Sequence, residues 1–214
     1  MLEHVTLRAL FFRLESIEST LIIWNSGPKC KANFYDRAEV IDTVTKMVRR
    51  GVVLCALCGG LFSIHGCYQR HILDENDDRH DGWIVQCCCD NCKKYPSLIP
   101  DFIMPYKHYE AAVIEAAVAK VEEEGGIRLA DCPAAGSTVW RWVSQFRKRG
   151  ALAVGWLLAI LYTFYGEYLS ALELQDKGLL KQLARLARKF PVPGFGGIIG
   201  RVNVILTRHN SGFL

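Results

Sequence analysis

Two pairs of cysteines have the spacing of metal ligands. Cys55 and Cys58 are separated by two residues and followed by two glycines, and Cys89 and Cys92 repeat the same gap. Thiolates at this spacing on a sharp turn point at one centre, and a four-coordinate ion takes two such pairs. We therefore predict one zinc ion, a structural cofactor bound by Cys55, Cys58, Cys89 and Cys92.

The run CCCDNC at residues 87–92 leaves an alternative to this ligand set. Pairing Cys88 with Cys92 would leave three residues between the thiols, so equal spacing favours Cys89. The preceding segment DGWIVQC alternates like a strand and places Cys87 on its core face. Cys88 in place of Cys89 remains an alternative ligand. A histidine of the same region could also replace one thiol: His65, His71 or His80.

The residues between the two cysteine pairs predict a β-hairpin. Its strands are LFSIHGCYQRHIL and WIVQ, and its turn is DENDDRHDG at residues 74–82. Two cysteine turns joined by a hairpin describe a zinc ribbon. Four thiolates leave no coordination position for water, so such an ion stabilises the fold and performs no hydrolysis. We interpret the other cysteines as structural: Cys30, Cys67 and Cys132.

The segment after the ribbon predicts two helices. The first has an apolar stripe and ends at Gly125 and Gly126; the stripe is Val113, Ile114, Ala117, Val118 and Val121. The second is predicted to begin at the N-cap Ser137 and to bury Val139, Trp142, Val143 and Phe146. A helix, a turn and a capped helix with a polar, basic outer face predict a helix-turn-helix, whose second helix enters the major groove of DNA.

Charge supports a nucleic-acid partner for this part of the chain. The segment between Gly126 and Gly150 contains five basic residues and one acidic residue, Asp131. No acidic residue follows Asp176. We predict contacts to DNA from one face of the second helix: Thr138, Arg141, Gln145, Lys148 and Arg149. The basic C-terminal part would add affinity that does not depend on sequence.

The run CDNCKKYPSLIPDFIMPYKHYEAAVIEAAV, followed by GSTVWRWVSQF, resembles an uncharacterised family of small bacterial proteins associated with transposons. Members of that family join a CxxC…CxxC ribbon to a helix-turn-helix. The resemblance implies zinc-dependent DNA binding by a transposase helper or remnant. Two residues depart from the family pattern: Lys93 replaces the glycine usual after the second cysteine pair, and Trp140 replaces a common basic residue.

These elements predict an α+β fold that is mainly α and has four parts. An N-terminal α/β segment covers residues 1–54, the ribbon 55–105, the helix-turn-helix 106–150, and a helical region with a basic tail 151–214. In the first part, STLIIW predicts a strand, and a helix follows with the stripe Val40, Ile41, Val44, Met47 and Val48.

Two helices are predicted in the last part. The fifteen uncharged residues 151–165 fall short of the roughly 20 that span a bilayer, which predicts a buried helix and no membrane partner. The segment GLLKQLARLARKF predicts an amphipathic basic helix with Leu179, Leu180, Leu183, Leu186 and Phe190 on its apolar face. Its basic face fits a phosphate contact, a membrane surface or plain solvation.

We predict that the protein is not an enzyme and has no small-molecule substrate. Strand transfer by two metal ions needs three carboxylates on an α/β core, whereas Glu167, Glu173 and Asp176 lie in helical patterns. The N-terminus lacks the features of a signal peptide, which predicts the cytoplasm. The alternative function is a protein-interaction module that docks onto a larger transposase or another partner.

Overall fold

The computed structural model describes residues 21–24, 33–55, 57–127, 130, 132–169, 174, 178–192 and 197–208. These residues form an α+β fold, as predicted. The strands are β1 (Leu21–Trp24), β2 (Phe62–Leu73), β3 (Arg79–Cys89) and β4 (Ser97–Pro100). The helices are α1 (Arg37–Arg49), α2 (Ala111–Glu124), α3 (Gly136–Tyr165), α4 (Leu179–Ala187) and α5 (Gly197–Arg208).

The four strands form one sheet in the order β1-β4-β3-β2. The hairpin β2–β3 is its largest part, with Phe62 opposite Cys89 at the open end and Leu73 opposite Arg79 at the tip. Short β4 pairs antiparallel with β3, and β1 pairs parallel with β4. All four residues of β4 are buried, and this strand lies in the interior of the sheet between β3 and β1.

The hairpin turn is shorter than predicted, because β3 already begins at Arg79. The Asp74 carboxylate accepts hydrogen bonds from the backbone N–H groups of Asn76 (2.8 Å) and Asp78 (3.0 Å). This side chain closes the tip within residues 74–78. Residues 79–82, predicted as turn, therefore pair with β2.

Helix α1 packs on one face of the hairpin. It begins where Asp36 accepts hydrogen bonds from the N–H groups of Ala38 and Glu39. Its predicted apolar stripe is confirmed: Val40, Val44 and Val48 are buried, and Ile41 and Met47 pack at the edge of the same core. The N-terminal segment and the ribbon therefore share one hydrophobic core.

A second hydrophobic core lies among the four remaining helices. The predicted stripe of α3 is buried in it, together with the stripe of α2 except Val113, which is buried outside this cluster. Leu183, Leu186 and Phe190 join them from α4 and the residues after it. At the start of α5, the Glu115 carboxylate accepts a hydrogen bond from the Ile199 N–H (2.8 Å). Burial raises the pKa of Glu115, so this contact ties α2 to α5 at a desolvated site.

Helix α3 corrects two sequence predictions. It runs unbroken through Gly150, where a boundary between two helices was predicted, because this glycine lies against α4: a Cβ here would come within 2.6 Å of Leu179 Cδ2. Ser137 is not the N-cap, since the helix begins at Gly136 after Ala135 and has no side-chain cap. No helix within the described ranges combines the length and apolarity needed to cross a membrane.

The connection between α2 and α3 also differs from that of a compact helix-turn-helix. α2 ends at Gly125, whose φ of 77° supplies the left-handed residue that a helix end favours. Residues 125–135 then join it to α3, whereas the DNA-binding motif has a turn of about 3–4 residues. The two helices and their buried faces are present, and their assignment to the helix-turn-helix class stays a prediction.

The contact between α1 and the hairpin depends on the absence of a side chain at Gly82. A Cβ at this position would overlap the ring of Phe34, whose carbonyl also accepts a hydrogen bond from the Trp83 N–H. We expect Gly82→Ala to lower the free energy of unfolding by about 2 kcal/mol through overpacking. The matched control is Gly66→Ala on β2, where a Cβ meets nothing within 4 Å. Urea denaturation of both variants measures the difference, and equal stabilities would contradict this packing.

Candidate metal centre and basic surface

Four cysteine sulfurs converge at the open end of the hairpin. The Sγ atoms of Cys55, Cys58, Cys89 and Cys92 all lie within 4.8 Å of one another. Cys55 and Cys92 are separated by 3.6 Å, and Cys58 and Cys89 by 3.5 Å. A disulfide has a sulfur–sulfur distance of about 2.05 Å, so these are four free thiols.

The first cysteine pair lies on a turn closed by two backbone hydrogen bonds. The Cys55 N–H donates to the Gly60 carbonyl (2.9 Å), and the Gly59 N–H donates to the Cys55 carbonyl (2.7 Å). Gly59 has a φ of 70°. A Cβ on Gly60 would lie 3.0 Å from the Cys89 sulfur and 3.3 Å from the Cys58 sulfur, so a side chain here would crowd the cluster.

The second pair repeats this turn. The Cys89 N–H donates to the Lys94 carbonyl (2.9 Å), and the Lys93 N–H donates to the Cys89 carbonyl (3.0 Å). Lys93 thus occupies the position equivalent to Gly59 and has a φ of 57°. The departure from glycine noted in the sequence therefore puts a lysine in the left-handed conformation, which is strained for residues with a Cβ.

The donor set and its spacing fit a tetrahedral metal ion. Metal–sulfur bonds of about 2.3 Å require sulfurs about 3.8 Å apart, close to the separations here. Burial raises the pKa of Cys55 to about 12, whereas the Gly60 N–H and neighbouring groups lower that of Cys58 to about 7. Several thiolates at such distances repel one another, and a bound cation offsets that repulsion and favours their deprotonation.

The neighbouring thiols and histidines lie outside the cluster. Cys87 is fully buried in the first core and Cys88 directs its thiol to the Cys89 carbonyl (3.7 Å), so the structure brings Cys89 to the site. His71 and His80 contact carboxylates at the hairpin tip, and His65 packs on Tyr95. Cys67 accepts a hydrogen bond from Arg37, and Cys132 packs at the helical core. Cys30 lies outside the described residues.

The predicted DNA-contacting residues lie on the outward side of α3, next to its buried stripe. Arg141 and Lys148 are exposed, and Thr138, Gln145 and Arg149 are half-buried. Arg141, Gln145 and Arg149 follow at intervals of four residues and therefore share one helix face. Arg141 donates a hydrogen bond to the Thr138 hydroxyl (3.2 Å).

A lysine from another element completes this face. Lys107 Nζ donates a hydrogen bond to Gln145 Oε1 (2.6 Å). Burial lowers the pKa of Lys107, and the charges of Arg149 and Arg141 lower it further. Lys107, Arg141 and Arg149 therefore lie around Gln145, whose Oε1 accepts the hydrogen bond that positions Lys107. We call Lys107, Arg141, Lys148 and Arg149 the basic surface.

The basic surface has no acidic counterpart in the part of the chain that the structure describes. None of its four cations forms a salt bridge there, whereas Arg147, on the flank of the same helix, binds the Glu122 carboxylate (2.7 Å). Lys120 and Lys189 are also paired, with Glu124 and Glu167. No carboxylate of the described residues therefore neutralises these four cations.

Sequence reasoning did not include Lys107 in the site, nor Tyr106 and Arg70 beside it. Arg70 Nη2 donates hydrogen bonds to the carbonyls of Met104 (2.8 Å) and Lys107 (2.7 Å) and holds the turn between them. The segment Met-Pro-Tyr-Lys carries a turn signal, because proline favours the second position of a β-turn. Its approach to α3 is a tertiary contact that no local pattern indicates.

Comparison with known protein families finds a match to part of the chain. A family described as a domain of unknown function (DUF6431) matches residues 55–142. The matched residues begin at the first clustered cysteine, include the turn at residues 104–107 and helix α2, and end in the second turn of α3. No curated protein and no solved structure matches the chain.

Replacing single cysteines tests the ligand set. We expect Cys89→Ser to abolish stoichiometric metal binding, because only three thiolates remain, and to destabilise the hairpin. Cys88→Ser is the matched control and should retain one metal ion per chain. Metal content by elemental mass spectrometry after gel filtration measures both; full loading of the Cys89→Ser variant, or loss of metal from Cys88→Ser, contradicts the assignment.

Gly59 and Lys93 occupy equivalent positions in the two cysteine turns. Adding a side chain at the first and removing one at the second should therefore have opposite effects on stability. Gly59→Ala should lower the free energy of unfolding of the metal-loaded protein by about 1 kcal/mol, because alanine resists a φ of 70°. Lys93→Gly relieves the same strain in the second turn and should leave stability unchanged or raise it by up to about 1 kcal/mol. Chemical denaturation at fixed metal concentration measures both. A clear loss of stability in Lys93→Gly would show that the lysine side chain is needed there.

Proposed function

We propose that the protein is a zinc-dependent DNA-binding protein in which the cysteine cluster stabilises the ribbon and the basic surface contacts DNA. The observation that carries this proposal is the grouping of Lys107, Arg141 and Arg149 around Gln145, with no salt bridge to a carboxylate among the described residues. Holding like charges together costs free energy, which a polyanion offsets when it binds.

The dimensions of the surface suit a nucleic-acid backbone. Arg141 and Arg149 are eight residues apart on one helix, about 12 Å at 1.5 Å per residue. Double-stranded DNA carries a phosphate every 3.4 Å along each strand, so this length of helix faces several phosphates. Arginine donors also pair with guanine edges, which allows sequence reading as well as backbone contact.

We propose zinc as the metal and the cytoplasm as the compartment. Four cysteines in tetrahedral spacing select zinc or iron–sulfur chemistry, and two cysteine turns with the same backbone hydrogen bonds match a structural zinc site. Free thiols require reducing conditions, as in the cytoplasm. Bound zinc would fix both turns and leave no coordination position for a substrate, so we propose a binding role and no catalysis.

We propose a mobile-element role on the basis of the resemblance to transposon-associated proteins. In that role the protein would be a transposition accessory or a transposase remnant that reads DNA without a catalytic core. The basic face of α4 would provide further phosphate contacts. Lys189 is paired with Glu167, which leaves Lys181 and Arg188 of this face exposed without a salt bridge among the described residues.

A second candidate function is docking onto a protein partner such as a larger transposase. The C-terminal end of α3 exposes several aromatic side chains, an arrangement more typical of an interface than of a plain surface. They are Tyr162, Phe164, Tyr165 and Tyr168. Gel filtration and pull-down with and without nuclease separate the candidates, because a complex mediated by DNA disappears on nuclease treatment.

Arginine substitutions on α3 test the DNA-binding proposal. We expect Arg141→Ala to weaken binding of a sequence selected from a random pool by about 1–3 kcal/mol, and to weaken binding of random DNA less. The slope of log affinity against log salt should fall by about one. Fluorescence anisotropy at several salt concentrations measures both quantities.

Arg147→Ala is the matched control on the same helix. Its guanidinium already pairs with Glu122, so we expect affinity and salt slope to stay near those of the unsubstituted protein. Salt-insensitive binding, or no binding to any DNA in the selection, contradicts the proposed function. Equal losses in the two variants would place the contact elsewhere.

A further inference from the structure

An aromatic residue occupies a strained position in the turn beside the basic surface. The Lys107 N–H donates to the Met104 carbonyl (3.3 Å), with Pro105 and Tyr106 in between. Tyr106 has a φ of 59° at the third position of this turn, where glycine is the usual residue. A bulky side chain in this conformation is a true outlier, and such outliers cluster at functional sites.

The surrounding structure determines this turn from several sides. Arg70 binds the carbonyls at both its ends, and the Leu73 N–H donates to the His108 carbonyl (2.6 Å) just beyond it. Residues 101–105 are all buried. The turn is therefore a rigid support, because contacts from β2 hold the turn that Pro105 favours.

The Tyr106 side chain contributes little to the fold that holds it. It is 72% exposed, whereas its neighbour Pro105 is buried and Lys107 reaches Gln145 on α3. An exposed aromatic on a rigid turn, directly next to an unneutralised cation cluster, has the two components of single-strand recognition: a stacking platform and a positively charged track. Packing and turn preference give no reason for a tyrosine here.

We propose that the Tyr106 turn is a stacking site for an unpaired nucleobase, and that the DNA bound by the basic surface includes a single-stranded segment. This inference rests on the proposed function and narrows its substrate class. The base stacks on the Tyr106 ring, and the adjoining phosphates lie against Lys107 and the arginines of α3. Stacking on an aromatic ring does not distinguish between bases. Recognition of the DNA sequence would therefore depend on the outward face of α3.

Substitutions at Tyr106 test the stacking site with the metal-loaded full chain. A short fluorescent oligothymidylate and a blunt duplex are the probes. We expect Tyr106→Ala to weaken binding of the oligothymidylate about tenfold and Tyr106→Phe to retain it, since one stacked base is worth roughly 5- to 150-fold in affinity. Binding of the blunt duplex should not change in either variant. Tyr168→Ala, at a tyrosine that is 79% exposed, is the matched control and should leave both affinities unchanged.

Two further arms separate stacking from folding and from phosphate contact. Tyr106→Gly removes the backbone strain, so the variant should be at least as thermally stable as the unsubstituted protein. Its affinity for the oligothymidylate should still be reduced. An abasic polymer of the same length should bind the unsubstituted protein as weakly as oligothymidylate binds Tyr106→Ala, and should show no dependence on residue 106.

Each negative result has a distinct meaning. Equal weakening of single-stranded and duplex binding by Tyr106→Ala, equal loss in Tyr106→Phe, or a Tyr106→Ala variant that binds oligothymidylate normally overturns the stacking site. If duplex DNA still binds with a dependence on Arg141, the proposed function survives that result. If the protein binds neither probe, both the proposed function and the stacking site are wrong.

Discussion

The convergence of four cysteine sulfurs at the open end of the hairpin is the constraint on which the rest of the site depends. It fixes Cys89 opposite Phe62 and turns the chain after Cys92 back along β3. The N–H groups of Cys87 and Cys89 then bind the carbonyls of Pro96 and Lys94, which set the course of β4. From β4 the chain enters the turn held by Arg70, and Lys107 reaches α3. A disturbance at the sulfurs would therefore be transmitted to the basic surface through backbone contacts.

The cations of the helical region divide into those that pair with carboxylates and those that form no salt bridge among the described residues. Arg147, Lys120 and Lys189 each pair with a carboxylate, which lowers their availability to a ligand. Lys107 lies instead near Arg141 and Arg149, and its pKa is lowered by burial and by those charges. Such an arrangement reduces stability unless an anion binds, a cost that proteins accept mainly at functional sites.

The sequence allowed the local features of the fold to be predicted well. Equal cysteine spacing picked out the four sulfurs that meet, and 3.6-residue periodicity identified the buried faces of α1, α2 and α3. The errors arose where a tertiary contact overrides a local signal. Gly150 usually suggests a helix end, but here it makes room for Leu179 within a continuous helix. The hairpin turn was overestimated because Asp74 closes the tip with its own side chain.

The contribution of Tyr106 and Lys107 could not be predicted from local pattern, since it depends on Arg70 from a distant strand. Lys93 is a different case: the sequence showed that it replaces a usual glycine, and the structure shows that it adopts the left-handed conformation of that glycine. Residues that break local rules, as these two left-handed side chains do, are expected mainly at functional or strained sites.

Lysine acetylation footprinting of the metal-loaded protein, with and without DNA, measures whether DNA lies on the basic surface. We expect DNA to protect Lys107 and Lys148 from the reagent, while the paired Lys46 and Lys120 keep their reactivity. Unchanged reactivity of Lys107 and Lys148 in a DNA complex, with protection confined to Lys181 and Lys189 of the C-terminal region, would contradict it. That result would place the DNA on another surface and leave the cations around Gln145 without the proposed partner.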